Sequence, residues 1–359
     1  MTLRHVDFLI AGQGLAGSLL AWQLLEKGGK VMVADPGVSH TCSRIAAGMI
    51  HPVTGRRIVK SWRADEFIPF AFHTYRNIEE RLGDTFLEEF PVFEIFHDIK
   101  HRNDWNARSA DPGVSEYFGG ECAANSVPAG VNAPFGGCWI LKGGWLNTNR
   151  FIDAIGHMLK RKNCLITEPV EAGKPEFSNG RYIWGEITAN VFIDCTGSSF
   201  VTSSQSTDLP FNPCKGELIK ITTTGIPSDI VIHGTIHVIP IGGNHYLAGS
   251  TYDYTYADGD RTEGAHEKIT AALKKMIKPS FDILEHHAAI RPSTIDRRPI
   301  IGELGTTPGH FVFNGLGSKG VMMAPWMADH LANHLLNNSP LEKEFSPQRT
   351  KGRLTTERL

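Results

Sequence analysis

Three glycines and an acid carry the first recognisable chemistry in this chain. Gly12, Gly14 and Gly17 stand in the pattern Gly-x-Gly-x-x-Gly, and Asp35 follows. Each position has a physical use in gripping a dinucleotide. Gly12 lets the chain turn sharply. Gly14 has no Cβ, so a pyrophosphate can approach the backbone. Leu15 and Ala16 open a helix whose free N–H groups and positive dipole end face the phosphates. Gly17 lets that helix pack close to the preceding strand. Asp35 sits where an acid accepts hydrogen bonds from ribose hydroxyls, which favours FAD or NAD over NADP. The motif alone is weak evidence, since a glycine-rich turn without a ligand has the same letters. Its meaning depends on a strand before it and a helix after it.

The flanking elements meet that demand. Val6 to Ala11 is a short apolar run suited to a buried parallel strand. Leu15, Ala16, Leu19, Leu20 and Leu24 fall mostly at helical spacing, and Gly28-Gly29 stop the helix. Lys30 to Asp35 is a second strand that ends in the acid. A nicotinamide dehydrogenase would then continue with another strand–helix unit. Instead Thr41 to Pro52 is small, glycine-bearing and polar at its start. Through Ser43, Arg44, Ala47, Gly48 and Met49 it suits a backbone threading past a flat ring.

Composition narrows the classes. The 36 Lys+Arg against 38 Asp+Glu leave a net charge of -2, so no bulk basic surface is available for nucleic acid. The 359 residues allow roughly two or three domains. Six cysteines without metal-ligand or scaffold spacing read as reduced thiols, so a cytoplasmic location is expected. No stretch has the length and continuity of a membrane span. The apolar run from Phe8 to Leu25 belongs to the strand and helix rather than to a signal peptide. No metal site is expected: His286-His287 are adjacent, with Glu285 the only nearby carboxylate. No Gly-x-Ser-x-Gly elbow or Walker lysine appears.

With these segments the chain resembles the D-amino-acid oxidase family of flavoproteins, which includes glycine oxidase, sarcosine oxidase and a tRNA-modifying oxidoreductase. Later segments fall in the family's order. Gly144 to Asn147 leads into a helix. Cys164 to Val170 is a short strand. Val191 to Gly197 resembles the strand that ends against the dinucleotide, with Thr196 and Gly197 at its tip. Pro213 to Leu218 resembles re-entry into the substrate domain. Ile290 to Ser293 and Asp296 to Gly302 resemble the C-terminal segment. Phe313 to Val321 is the last strand end, glycine turn and helix start. The likeness is weakest from about 85 to 140. The Gly315–Gly320 and Asp296–Pro299 stretches look most like the tRNA-modifying member, but the fused methyltransferase domain of that member is not expected here, which weakens that match.

The resemblance implies non-covalent FAD, since no cysteine follows Cys214 to carry the flavin. It implies contacts from Val170, Thr196 and Gly197. It implies others from Gly315, Gly317, Ser318, Lys319, Gly320 and Val321, where a helix starting near Ser318 would stabilise charge on a reduced flavin. Arg291 matches the arginine that grips a substrate carboxylate; without the family, a salt bridge to a protein acid would be the better reading. His237 stands where relatives carry a tyrosine over the substrate, and either a substrate contact or a structural histidine fits it. His51 is either near the flavin or a turn residue before Pro52. Tyr252, Tyr254 and Tyr256 alternate as on a strand face. Arg56, Arg57, Lys60 and Arg63 form either a solvated face or an anion patch.

The expected fold is α/β: a Rossmann-like FAD-binding domain from 1–83, 146–210 and 288–359. A second, α+β substrate domain with a mixed or antiparallel sheet would come from 84–145 and 211–287. Val231 to Tyr254 reads as two strands joined at Gly242-Gly243-Asn244, and Glu263 to Lys278 as a helix over them. The expected activity is oxidation of the C–N bond of an amine or amino acid by hydride transfer to the flavin. An N-substituted glycine fits well, with oxygen or another carrier as electron acceptor. The alternatives are a tRNA wobble-uridine side-chain oxidoreductase, which the charge balance does not favour, and a flavin-binding protein without turnover.

Overall fold

The computed structural model describes residues 3–54, 58–170, 175–305 and 307–349. Its first sheet has a parallel centre. Leu165–Ile166, Val31–Ala34, Arg4–Ala11 and Ile187–Asp194 lie side by side, and His310–Asn314 pairs parallel to Ile187–Asp194. Such strands must be apolar on both faces, and Leu9, Ile10, Val33 and Ile193 are fully buried. On one face the helices Leu15–Glu26 and Gly320–Asn337 pack together. Glycine turns from strand to helix place both helix N-termini at the same edge of the sheet.

The second sheet runs Asp282–Arg291, Cys214–Thr222, His245–Gly249, His237–Pro240, Val231–His233, Val92–Ile95, Gly137–Ile140 and Phe118–Cys122. Its pairs are antiparallel except Val231–His233 with Val92–Ile95, so the sheet is mixed. The helix Glu263–Met276 covers one face. Thr262 caps it by accepting from the Ala265 N–H at 3.3 Å. Ile269 and Leu273, both 0% exposed, join Ile219, Val238 and Tyr246 beneath it. Truncating Leu273 to alanine there would cost about 3 kcal/mol. The opposite face is left for the site.

Two local expectations fail. The stretch from Val231 holds three short strands, because the chain turns back at Gly234 to pair His233 with His237. The Gly242-Gly243-Asn244 turn, with φ of +89°, +61° and +60°, joins only the last two. Tyr252 to Tyr256 is not a strand. Asp253 accepts from the Thr255 N–H and hydroxyl at 2.8 and 3.0 Å, and this local turn competes with extension. No helix among the described residues is long and apolar enough to cross a membrane.

Candidate active site

A cleft of about 510 Å³ is lined by residues of both sheets. One end is made of backbone. Gly12 leaves its strand at φ +94°, and a Cβ there would lie 2.7 Å from the Cys195 carbonyl oxygen. Gly14 lines the cleft beside Ser43, whose hydroxyl accepts from the Leu15 N–H at 3.0 Å. Gly17 stays out of the cleft. Its missing Cβ would meet the Gly12 carbonyl oxygen at 1.9 Å, so it serves helix–strand contact alone. Asp35 lines the cleft and accepts from the Gln13 and Gly37 N–H groups, each at 2.7 Å. Those two bonds fix the carboxylate and leave it spare lone pairs for hydroxyl donors. A glycine cradle, a helix N-terminus and an oriented acid fit an FAD or NAD dinucleotide.

Along the middle lie Leu15, Ala16, Ser43, Ala47, Gly48, Met49, Val170, Thr196 and Gly197. Arg44 turns away, pairing with Asp153 at 2.8 Å and leaving the dinucleotide path. At the C-terminal turn Gly317, Ser318, Gly320 and Val321 line the cleft, while Gly315 and Lys319 do not. A Cβ on Gly315 would sit 2.9 Å from the Thr294 side chain, so this glycine serves packing. The helix begins at Gly320, near Ser318 as expected, with Lys319 at its N-cap position. Lys319 donates to the Ser61 hydroxyl at 2.8 Å, and burial brings its pKa down to about 8. Pro325 falls inside the helix, in its first turns.

The far end is made of side chains. Arg291 lines the cleft at the end of its strand. It donates to the Ser250 hydroxyl at 2.7 Å and the Thr251 carbonyl at 3.1 Å. The Tyr252 ring lies 4.6 Å from the guanidinium carbon. Among the described residues no carboxylate comes within ion-pairing distance of Arg291. Its guanidinium lies across Gly216, where a Cβ would fall 1.9 Å from Nη2. Cys42 also lines this region, its thiol pushed up by burial against the lowering effect of Arg291. Tyr254 and Tyr256 do not line the cleft.

His237 lines the cleft; His51 does not. His51 lies behind the wall, buried beside Glu94 and His233. Ligating atoms of His51, Glu94 and His233 lie within 4.8 Å of one another. Sequence reading expected no metal cluster, because these residues come from three distant segments and share no short spacing. Hydrogen bonding then decides what the cluster is. His51 Nδ1 accepts from the Val53 N–H at 3.2 Å, so the neutral ring carries its proton on Nε2. With its proton there, Nε2 offers no lone pair to a metal, and it lies 3.9 Å from Glu94, beyond hydrogen-bonding distance. His233 Nδ1 donates to the same carboxylate. Burial lowers the His51 pKa to about 4 against the opposing pull of Glu94, while His233 and His51 hold the Glu94 carboxyl down against burial.

The basic run divides. Lys60 pairs with Asp65 at 2.6 Å, and Arg63 pairs with Glu66, Glu342 and Glu344 under the Trp326 ring. Arg56 and Arg57 lie outside the described residues. Sequence reading missed Ser250, Glu94 and His233. Glu94 and His233 belong to no motif, and only the pairing of remote strands brings them together.

Known proteins share this fold. The chain is 24% identical to a glycine oxidase of Pseudomonas putida, over 96% of this chain and 98% of that one. It is 21% identical to the tRNA 5-methylaminomethyl-2-thiouridine biosynthesis bifunctional protein MnmC of Actinobacillus pleuropneumoniae. That match covers 96% of this chain and only 58% of the relative's length. Among solved structures, glycine oxidase from Bacillus cereus superposes with a TM-score of 0.79 at 18% identity, over 93% of this chain and 96% of that one. Iminodiacetate oxidase from Chelativorans superposes at 0.77 and 17% identity, over 95% and 99%. Residues 7–334 match the DAO family model, described as FAD dependent oxidoreductase, so the chain belongs to the DAO family of FAD-dependent oxidoreductases.

Proposed function

We propose that this protein oxidises the C–N bond of a small amine bearing a carboxylate, an amino acid or an N-substituted glycine. One observation carries the reading: Arg291 opens onto the cleft, held by Ser250 and Thr251, with no carboxylate of the described chain beside it. A planar guanidinium binds a carboxylate through two parallel hydrogen bonds and so fixes orientation as well as charge. FAD, when bound, supplies the two-electron acceptor. The chain's residues do the rest. The Gly12–Gly17 turn and Asp35 hold the dinucleotide. Arg291 sets the substrate's orientation. Leu218, Ala289 and Tyr252 line the same end. Oxygen or another carrier takes the electrons afterwards.

The names of the glycine oxidase and iminodiacetate oxidase neighbours support a carboxylate-bearing amine. The MnmC relatives support a modified tRNA instead. The charges favour the small substrate: the two described members of the basic run, Lys60 and Arg63, are already paired with acids.

The test is an anaerobic titration of the FAD-loaded protein, following the oxidised-flavin absorption. The panel holds glycine, sarcosine, proline, D- and L-amino acids, and an RNA bearing carboxymethylaminomethyl-uridine. Bleaching by a free amino acid is the expected result. Bleaching by the RNA alone, with a salt-dependent gel shift, would transfer the assignment to tRNA. A yellow protein that nothing bleaches would leave a flavin-binding protein without this turnover.

A further inference from the structure

We propose that His237 is a second recognition point, whose Nε2–H donates to a hydrogen-bond acceptor, best a second carboxylate, on an amine whose first carboxylate Arg291 holds. The substrate class is then an N-substituted glycine or amino acid with an acceptor on its other arm. This inference rests on the carboxylate-anchor reading above.

A row across the second sheet leads to it. Cys138, Glu94, His233, His237 and Gly249 are direct partners on five successive strands. Directly opposed residues project to the same face, so the row is one continuous strip. His237 is where that strip reaches the cleft. Its ring lies flat on His233, with centroids 4.3 Å apart and planes at 19°. His233 is tied to Glu94, and His51 meets His233 edge-on with centroids 5.1 Å apart. The two inner histidines and the carboxylate therefore form a backing that fixes the plane of the His237 ring.

The backing also decides what His237 offers. Its Nδ1 is buried and has no hydrogen-bond partner among the described residues. A sealed lone pair costs less than a sealed N–H, so the neutral ring carries its proton on Nε2. Burial holds the ring neutral, with its pKa well below 6.5; His233, His51 and Arg291 push the same way and Glu94 opposes. The cleft therefore meets an uncharged donor. Arg291 reaches the same stretch, because Nη2 donates to Ser250, next to the Gly249 that pairs with His237. Neighbouring strands are about 4.8 Å apart, so a small molecule with two acceptor groups spans the interval. An alkyl group at His237 would strand a desolvated N–H, and that penalty is what selects.

Two unreactive ethers test the idea on the FAD-loaded protein: diglycolate, with a carboxylate on each arm, and methoxyacetate, with one. Binding is read from the perturbed flavin absorption. Diglycolate should bind at least about tenfold more tightly, and His237→Phe, which keeps a flat ring, should abolish the difference. Equal binding in the wild type, or an unchanged ratio in the variant, overturns the inference. If the variant loses FAD, NMR of the wild-type ring nitrogens asks the same question: the Nε2–H signal of His237 should move with diglycolate and stay with methoxyacetate. A signal unmoved by both overturns it. Neither ether carries an amine. Discrimination therefore stands even if no amine reduces the flavin, and turnover without discrimination removes only this inference.

Discussion

The two ends of the cleft each depend on a glycine whose Cβ would fall 1.9 Å from another atom, and the two collisions differ in kind. At Gly17 the atom is the Gly12 carbonyl oxygen, part of a buried strand–helix turn. At Gly216 it is Nη2 of Arg291, the tip of a flexible side chain. One end is a backbone device and cannot give way. The other is a side-chain device laid on a sheet and can. The same contact distance therefore predicts loss of the fold in one case and loss of alignment in the other.

Gly17→Ala should have the largest effect. The helix must retreat from its strand, and Leu19 and Leu20, both fully buried, retreat with it. The expected cost is about 3 kcal/mol, with FAD lost during purification. Thermal unfolding and bound-flavin absorption check this. A variant with wild-type melting and full FAD would show that the backbone end yields as readily as the other.

Buried histidines sharpen the contrast through pH. His310, in the first sheet, and His51, behind the second, are both lowered to about 4, chiefly by burial. In the unfolded chain each titrates near 6.5. Between about pH 6.5 and 4 the unfolded state binds protons that the folded state refuses. Stability therefore falls as pH drops through that window, by up to about 3 kcal/mol per histidine, and levels off below it. Their surroundings differ. His310 packs on Phe192 and Tyr182, whereas His51 faces Glu94. His310→Phe should flatten the acid loss and leave neutral-pH stability nearly intact. His51→Phe should flatten it too but lose stability at both pH values, because the buried Val53 N–H loses its acceptor. Urea midpoints at pH 7 and 5 decide; an unchanged acid slope in His310→Phe would break the argument.

Arg291→Ala addresses the substrate end directly. Loss of a charged, two-pronged contact should lower kcat/KM for carboxylate-bearing amines by about a hundredfold and leave bound FAD unchanged. Unchanged turnover of every carboxylate substrate would remove the anchor.

The same distinction explains what was legible in the sequence. Gly12, Gly14, Asp35, Gly48 and Gly317 are read easily because each has a fixed place in a short run of consecutive residues, a strand end or a glycine turn, whatever distant group it finally meets. Gly315 and Lys319 belong to the same turn, yet they face packing and Ser61 instead of the cleft, since a motif marks a turn and not the direction of each residue. Glu94 and His233 carry no local mark at all. Their meaning arises only when a parallel pairing sets Val92–Ile95 beside Val231–His233. Arg291 is intermediate: its identity depended on resemblance, and the company of Ser250 and Tyr252 on the sheet.

Gly216→Ala is the smallest expected effect and tests the comparison most closely. Gly216 lies in a regular strand, paired with Ala289, and its φ is not in the left-handed region. Alanine is therefore tolerated by the backbone, and the atoms nearest the new methyl are those of the guanidinium. Arg291 must lift off the strand, straining its bonds to Ser250 and Thr251. The expected result is a melting temperature close to wild type, full FAD, and KM for the carboxylate substrate raised about tenfold, with kcat less affected. Loss of folding would mean that the sheet, not the side chain, is the rigid partner. Unchanged KM would mean that Arg291 keeps its function from a new position, and that the bond to Ser250 is not what aims it.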